Sequence, residues 1–219
     1  MPKNILVIED QPLYCQSLVK LLRSCVNNIP LFTCNSIEEA INILDGKKNA
    51  ADKTEWIIIL DPLLPRVSGL LAIYEILKFN LDAKILVLSS MDDPLQVSAF
   101  IGAGAKSFIS KSASPDLVIE FFNRFFKNKI ALPEWISRDG KCNIDQLPDV
   151  QLTPRQLEVL LLICQGKTNR FIADSLNIIE ATAKAHVSAI FRKLNVLNRT
   201  QAVLAAQKLG LKINTASKN

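Results

Sequence analysis

At 219 residues the chain is long enough for two modest domains, each burying its own core. Its net charge of +5 is unevenly divided: residues 151–219 carry 10 Lys or Arg against 3 Asp or Glu, while residues 1–150 carry 16 against 18, a basic module on an acidic partner. Cys15, Cys25, Cys34, Cys142 and Cys164 are scattered without a C-x-x-C pair, against a disulfide framework or a zinc site; no signal peptide opens the chain and no apolar run nears the roughly 20 residues of a membrane helix, so a soluble, cytoplasmic protein without a membrane partner is expected.

Asn4 to Ile8 is an almost continuous apolar run ending in Glu9-Asp10, the pattern of a parallel strand buried on both faces whose carboxyl end meets a functional edge. A helix of about fifteen residues follows from Pro12, then a short strand at Leu31 to Thr33 and a helix opening at Ser36 with a serine cap. Trp56 to Leu60 is the next strand and ends in Asp61. Ser68 to Phe79 reads as helix, Lys84 to Leu88 as strand ending in Ser89-Ser90, Asp93 to Ile101 as helix, Ala105 to Ile109 as strand ending in Ser110-Lys111, and Ser114 or Pro115 opens a last helix to about Lys127.

Five strands alternating with five helices predict an α/β domain with a doubly wound five-stranded parallel sheet. Ligands of such sheets gather at the carboxyl ends of strands, and those ends carry Glu9 and Asp10, Asp61, Ser89 and Lys111. Three carboxylates, a hydroxyl and an ammonium on one rim suit a divalent cation and a phosphoryl group: hard oxygens hold Mg²⁺, while lysine and hydroxyl meet phosphate oxygens.

Residues 3–127 so arranged resemble the receiver domain of two-component response regulators, a flavodoxin-like fold. The resemblance implies Asp61 as phosphoacceptor, Glu9, Asp10 and Asp61 as Mg²⁺ ligands with the Leu63 carbonyl, Ser89 as switch hydroxyl, Phe108 as switch aromatic and Lys111 as the phosphate-pairing lysine. Pro65, Gly69 and Gly102-Ala103-Gly104-Ala105 match the family's loops. Glu9 replaces the commoner aspartate and keeps its charge. Pro62 replaces a residue whose N–H bonds the phosphoryl group; the lost bond, worth about 1.5–3 kcal/mol, predicts weaker or shorter-lived phosphorylation.

Residues 128–150 mix Pro, Gly and polar residues without sustained period and read as a linker, with Trp135 and Ile136 apolar enough to dock on a domain. Thr153-Pro154-Arg155-Gln156 is then a capping box with proline at the first helical position. Leu157, Val159, Leu160, Leu161 and Ile163 supply that helix's apolar side and Gly166 stops it. Thr168 caps a second helix expected to bury Phe171, Ile172 and Leu176 and to expose Asn169, Arg170 and Asp174. After a tight connection at Leu176 to Ile179, the third helix turns Ala183, Val187, Ile190, Phe191 and Leu194 inward and Ala181, Ala185, Ser188, Ala189 and Arg192 outward. Small outward residues flanked by Thr182, Lys184, His186 and Lys193 let such a helix enter a major groove. Ala202 to Leu209 is an amphipathic last helix, and Lys212 to Asn219 a frayed polar tail.

Residues 151–212 are similar to the all-α helix-turn-helix output domain of the NarL/FixJ (LuxR-type) regulators, through Leu152-Thr153-Pro154-Arg155, Glu158-Val159-Leu160, Gly166, Asn169, Ile172-Ala173, Thr182, Lys184, His186-Val187, Lys193-Leu194 and Asn198-Arg199-Thr200. The similarity implies base reading by Lys184, Ala185 and Ser188 and backbone contact by Asn169, Arg170, Thr182, Arg192 and Lys193. Ile179 stands where the family usually has a capping serine, and Ala183 replaces its usual valine.

The chain is therefore expected to be a DNA-binding transcriptional regulator, not an enzyme except in accepting and shedding its own phosphoryl group. Double-stranded promoter DNA, a sensor histidine kinase and a second copy in a homodimer are the implied partners, with phosphorylation either ending occlusion of the recognition helix by the receiver or starting dimerisation. The alternative is a pseudo-receiver that dimerises or binds a partner without phosphorylation. A Mg²⁺-dependent aspartyl phosphatase is disfavoured by Leu63, which stands where such enzymes carry a second acid.

Overall fold

The computed structural model describes residues 3–26, 28–46, 55–65, 67–80, 82–91, 93–127, 129 and 133–211. The first part alternates as β1 (Lys3–Ile8), α1 (Pro12–Cys25), β2 (Leu31–Cys34), α2 (Ile37–Gly46), β3 (Glu55–Leu60), α3 (Gly69–Phe79), β4 (Lys84–Ser89), α4 (Pro94–Gly102), β5 (Ser107–Ser110) and α5 (Pro115–Phe126). Caps fall where short polar side chains precede helices: the Ser36 hydroxyl accepts the Glu39 N–H at 3.2 Å, and Asp93 accepts that of Leu95 at 2.9 Å. The central strands β1, β3, β4 and β5 are apolar on both sides because helices cover both faces, one core lying under α1 and α5 and another under α2, α3 and α4.

The sheet order is β2-β1-β3-β4-β5-β6-β7, seven strands rather than the expected five. The two additional strands come from the segment expected to be a linker: β6 (Glu134–Ser137) pairs parallel with β5, and β7 (Gly140–Cys142) turns back antiparallel on β6. An open β5 edge would leave a row of unpaired backbone groups, and β6 satisfies them, with the Ser107 hydroxyl adding a 2.8 Å bond to the Glu134 carbonyl. Strand alternation then sends Trp135 into the core beneath α4 and Ile136 into the core beneath α5.

The second part consists of α6 (Pro154–Cys164), α7 (Asn169–Leu176), α8 (Glu180–Lys193) and α9 (Arg199–Lys208). Both bonds of the capping box form: the Gln156 N–H donates to Thr153 Oγ1 at 3.2 Å, and the Thr153 N–H to Gln156 Oε1 at 3.0 Å. Between α7 and α8 the chain turns through Asn177 in the left-handed region, φ +52°. Ala183, Val187, Ile190 and Leu194 are buried as the period requires. Phe171 is not: it is 45% exposed, with the Lys167 ammonium 4.4 Å from its ring centroid, because Ile172 and Ala173 take the inward positions of a two-turn helix. The expected tail, Lys212 to Asn219, lies outside the described residues.

The two parts share an apolar core. It runs from the α3 and α4 face through Val150 and Leu152 into Leu157, Leu160, Leu209 and Leu211. Polar contacts line the seam: the Tyr74 hydroxyl donates to the Leu152 carbonyl, the Ser98 hydroxyl donates to the Pro148 carbonyl, and Ser98 Oγ accepts the Val150 N–H at 3.2 Å. A Cβ on Gly102 would lie 2.7 Å from the Val150 carbonyl oxygen, so only glycine lets the segment pass this close to α4.

Candidate functional site

The register of the central strands builds the first site. Ile8 pairs with Leu60 and Ser89 with Ser110, so the residues that follow, Glu9, Asp61 and Lys111, emerge level with one another. Glu9 is 4% and Asp61 2% exposed. Lys111 Nζ lies 2.7 Å from Glu9 Oε2 and 2.7 Å from Asp61 Oδ2, so one ammonium holds two buried carboxylates. The remaining oxygens are also engaged: Glu9 Oε1 accepts the Gln11 N–H at 3.1 Å and Asp61 Oδ1 the Leu63 N–H at 2.9 Å. Asp10 completes the cluster, with one oxygen each of Glu9, Asp10 and Asp61 within 4.8 Å of one another.

Three carboxylates against one ammonium leave an excess of two negative charges in a largely dry site. Burial pushes the Glu9 carboxyl above its usual range against the pull of the Lys111 hydrogen bond, and the Asp61 charge pushes the same way. A hard divalent cation matches that donor set in charge and chemistry. Beside it the ring of Tyr14 lies under Lys111, with Nζ 4.2 Å from the centroid, and burial together with the Glu9 and Asp61 charges raises the Tyr14 hydroxyl to about 12.

Pro62 follows Asp61 and gives no N–H, so the Leu63 N–H is the backbone donor at the acceptor carboxylate. Pro62 also fixes the loop mechanically, since a Cβ on Gly69 would come 2.4 Å from Pro62 Cβ and α3 therefore starts against it only with glycine. Ser89 is fully buried with Oγ accepting the Met91 N–H at 3.2 Å. Phe108 is fully buried one strand away and stacks on Phe100 of α4, centroids 6.0 Å apart. The sequence-predicted residues Glu9, Asp10, Asp61, Ser89 and Lys111 are thus brought to one rim; Phe108 lies behind it in the core, facing α4. Tyr14 is an addition that sequence pattern alone does not single out, because its partner is 97 positions away.

The second site is the outer face of α8. Ala181, Lys184, Ala185, Ser188 and Arg192 are exposed, Thr182, His186 and Lys193 half-buried, and on α7 Arg170 is exposed and Asn169 half-buried. Lys184 pairs with Glu180 one turn earlier at 2.9 Å, and the Lys193 ammonium donates to the Gln151 carbonyl at the start of the output domain. Ile179 precedes α8 with no side-chain cap bond and is 71% exposed. The receiver-like part meets the output part through α6, residues 148–152 and Gly210, the last against Gln96 of α4. In this arrangement Lys184, Ala185, Ser188 and Arg192 of α8 are exposed, while Lys193 at the end of the helix is tied to the seam through Gln151.

A mostly parallel sheet with an acidic rim joined to a helix-turn-helix unit has the layout of a receiver domain fused to a DNA-binding module. The family described as response regulator receiver domain matches residues 5–123, and that described as bacterial regulatory proteins, luxR family, matches residues 150–206. The chain belongs to the response regulators that carry a LuxR-type DNA-binding domain. Transcriptional regulatory protein LiaR of Bacillus subtilis (strain 168) is 30% identical over 210 residues, 94% of this chain and 97% of that one. The glycerol metabolism activator of Pseudomonas putida is 30% identical over 213 residues, 93% and 94% of the two chains. The nitrate/nitrite response regulator NarL of Escherichia coli (strain K12) is 28% identical over 211 residues, again 93% and 94%. In fold, RcsB from Salmonella enterica serovar Typhimurium bound to promoter P1flhDC matches with TM-score 0.57 at 19% identity over 95% of this chain and 100% of that one. Among the described residues no helix is long and apolar enough to cross a membrane.

Proposed function

We propose that this response regulator is switched by phosphorylation of Asp61. A sensor histidine kinase donates the phosphoryl group: an Asp61 carboxylate oxygen attacks phosphorus, the P–N bond of the donor breaks, and an acyl phosphate remains. Glu9, Asp10, Asp61 and the Leu63 carbonyl would hold Mg²⁺, which supplies charge neutralisation for the phosphoryl oxygens. Lys111 transfers its ammonium from carboxylate to phosphoryl oxygen, and Ser89 gives up its bond from Met91 to donate to the same group. The observation that carries this reading is the pair of 2.7 Å contacts from Lys111 to buried Glu9 and Asp61, a charge arrangement ready for a cation and an anion together.

Transmission follows from packing. Ser89 sits on β4 beside β5, Phe108 stacks on Phe100 of α4, and Ser98 of the same helix bonds the segment that leads into the output domain. A shift of Phe108 toward Ser89 loosens α4 and with it the docked helical domain, a population shift between docked and released arrangements. Release frees the protein to form a homodimer on double-stranded promoter DNA. Lys184, Ala185 and Ser188 would face base edges, and Asn169, Arg170, Thr182, Arg192 and Lys193 the backbone. RcsB, the structural neighbour, is described as dimers bound to DNA, which supports the dimeric reading.

The test is phosphate-stimulated DNA binding, with operators first selected from genomic DNA. Acetyl phosphate with Mg²⁺ should tighten binding by the wild type and leave Asp61→Asn unchanged. Equal stimulation of both proteins would overturn the mechanism. No mass gain at Asp61 in the wild type would favour the pseudo-receiver, the reading that the missing Pro62 N–H supports.

A further inference from the structure

We propose that Tyr14 is a positioning residue for phosphoryl transfer: its ring holds the Lys111 ammonium in place while the two carboxylates that otherwise hold it change partners. The proposal rests on Asp61 being the phosphoacceptor.

Lysine carries a compact charge on a flexible four-carbon stem, with three N–H donors to place. At Lys111 two of them have acceptors, Glu9 Oε2 and Asp61 Oδ2, each at 2.7 Å. The ring face of Tyr14 takes the remaining side of the ammonium, 4.2 Å from Nζ to the centroid. Both carboxylates are reactants or metal ligands. When a cation and a phosphoryl group enter, an Asp61 oxygen becomes part of the acyl phosphate and Glu9 turns to the cation, so both ion pairs of Lys111 are rearranged in one event. The aromatic ring takes no part in that exchange, and its neutral face does not compete with phosphoryl oxygens for the N–H donors. It is the fixed element of the lysine's surroundings.

The local chain explains why the ring is there. Tyr14 is the third residue of α1, after Pro12, whose fixed φ sets the start of the helix. The loop just before it is tied to the same acid that holds the lysine, since the Gln11 N–H donates to Glu9 Oε1 at 3.1 Å. Tyr14 and Lys111 are therefore both referenced to one buried carboxylate, and the rest of the ring packs against the core beneath α1 and α5.

The experiment compares Tyr14→Leu and Tyr14→Phe with the wild type in the full chain. Phosphoryl capture from acetyl phosphate with Mg²⁺ is followed on phosphate-affinity gels, and the ε-methylene resonance of Lys111, assigned by its loss in Lys111→Met, is read by NMR without any phosphodonor. A cation–π contact of this kind predicts capture about two- to thirtyfold slower in Tyr14→Leu, near wild-type capture in Tyr14→Phe, and an upfield ring-current shift present in wild type and Tyr14→Phe and lost in Tyr14→Leu. If the ring only fills space, Tyr14→Leu keeps the wild-type rate or Tyr14→Phe is slowed as much as Tyr14→Leu; either result, or an unshifted Lys111 resonance, overturns the proposal. A wild type that takes no phosphoryl group at Asp61 overturns the phosphorylation reading itself and this role with it, and the NMR shift then still decides whether the contact exists.

Discussion

Replacing Lys111 with methionine removes the charge at the centre of the acidic rim and keeps nearly the same length. Its side chain is 10% exposed, and counting side-chain atoms alone Glu9 and Asp61 are 2% and 1% exposed. Breaking a buried ion pair by removing one partner costs about 3–5 kcal/mol, because the other partner is left charged and desolvated. For a protein of this size that is a fall in Tm of roughly 6–20 °C. The pH dependence has a defined sign. Burial already holds the Glu9 pKa above the usual 4.5, so the folded state binds its proton more tightly than the unfolded chain, and stability falls as pH rises through that window. Lys111 opposes this rise, so without it the window extends upward and the gap between variant and wild type narrows as pH is lowered through the raised Glu9 pKa. Saturating Mg²⁺ also recovers stability, by about 2.7 kcal/mol at a hundred times Kd. Differential scanning calorimetry from pH 5 to 8, with EDTA or Mg²⁺, reads all three effects. A variant with wild-type Tm at pH 7 in EDTA, or one that Mg²⁺ does not stabilise, would refute the charge argument.

Three further substitutions test the rest of the structure. Gln96 is fully buried, with neither side-chain polar atom meeting a partner among the described residues, at about 1–3 kcal/mol for an unpaired amide; Gln96→Leu should raise Tm by roughly 2–12 °C, and a fall in Tm would show the amide to be satisfied. Trp135→Ala should cost about 3–5 kcal/mol by emptying the core beneath α4, whereas Trp135→Phe should cost far less because the indole N–H has no partner to lose; equal losses on urea unfolding would contradict that. Ile179→Ser supplies the missing acceptor at the start of α8 and should add about 0.5–2 kcal/mol to output-domain stability, visible as slower amide exchange in the first turn of α8; unchanged exchange would show that turn already satisfied.

Much of the receiver was legible because its signals are local. A strand buried on both faces must be a short apolar run, and the first polar residues after it must sit at the strand's end, so Glu9, Asp61 and Lys111 announce the rim without knowledge of the packing. The same holds for the capping box at Thr153 and the bare helix start at Ile179, which depend on residues three apart. The inner face of α8 follows from period alone. Phe171 shows where period fails: on an eight-residue helix the choice between neighbouring inward positions is made by what packs against it, and Ile172 and Ala173 were chosen.

The hairpin at residues 134–142 marks the boundary between the two kinds of information. Asp139-Gly140 between short apolar stretches is a turn signal in the sequence, yet four residues have no preference strong enough to declare a strand. The open edge of β5, on which Ser107 lies 27 positions from Glu134, supplies the hydrogen-bond partners that make it one. The amino-acid sequence by itself determined the two domains, the strand-end acids with their lysine and the recognition helix, because each is written in neighbouring residues. Only the tertiary structure decided that two more strands extend the sheet, that the helical domain packs on α3 and α4 through residues 148–152, and that Tyr14 lies beneath Lys111, because each of these depends on surfaces brought together across long stretches of chain.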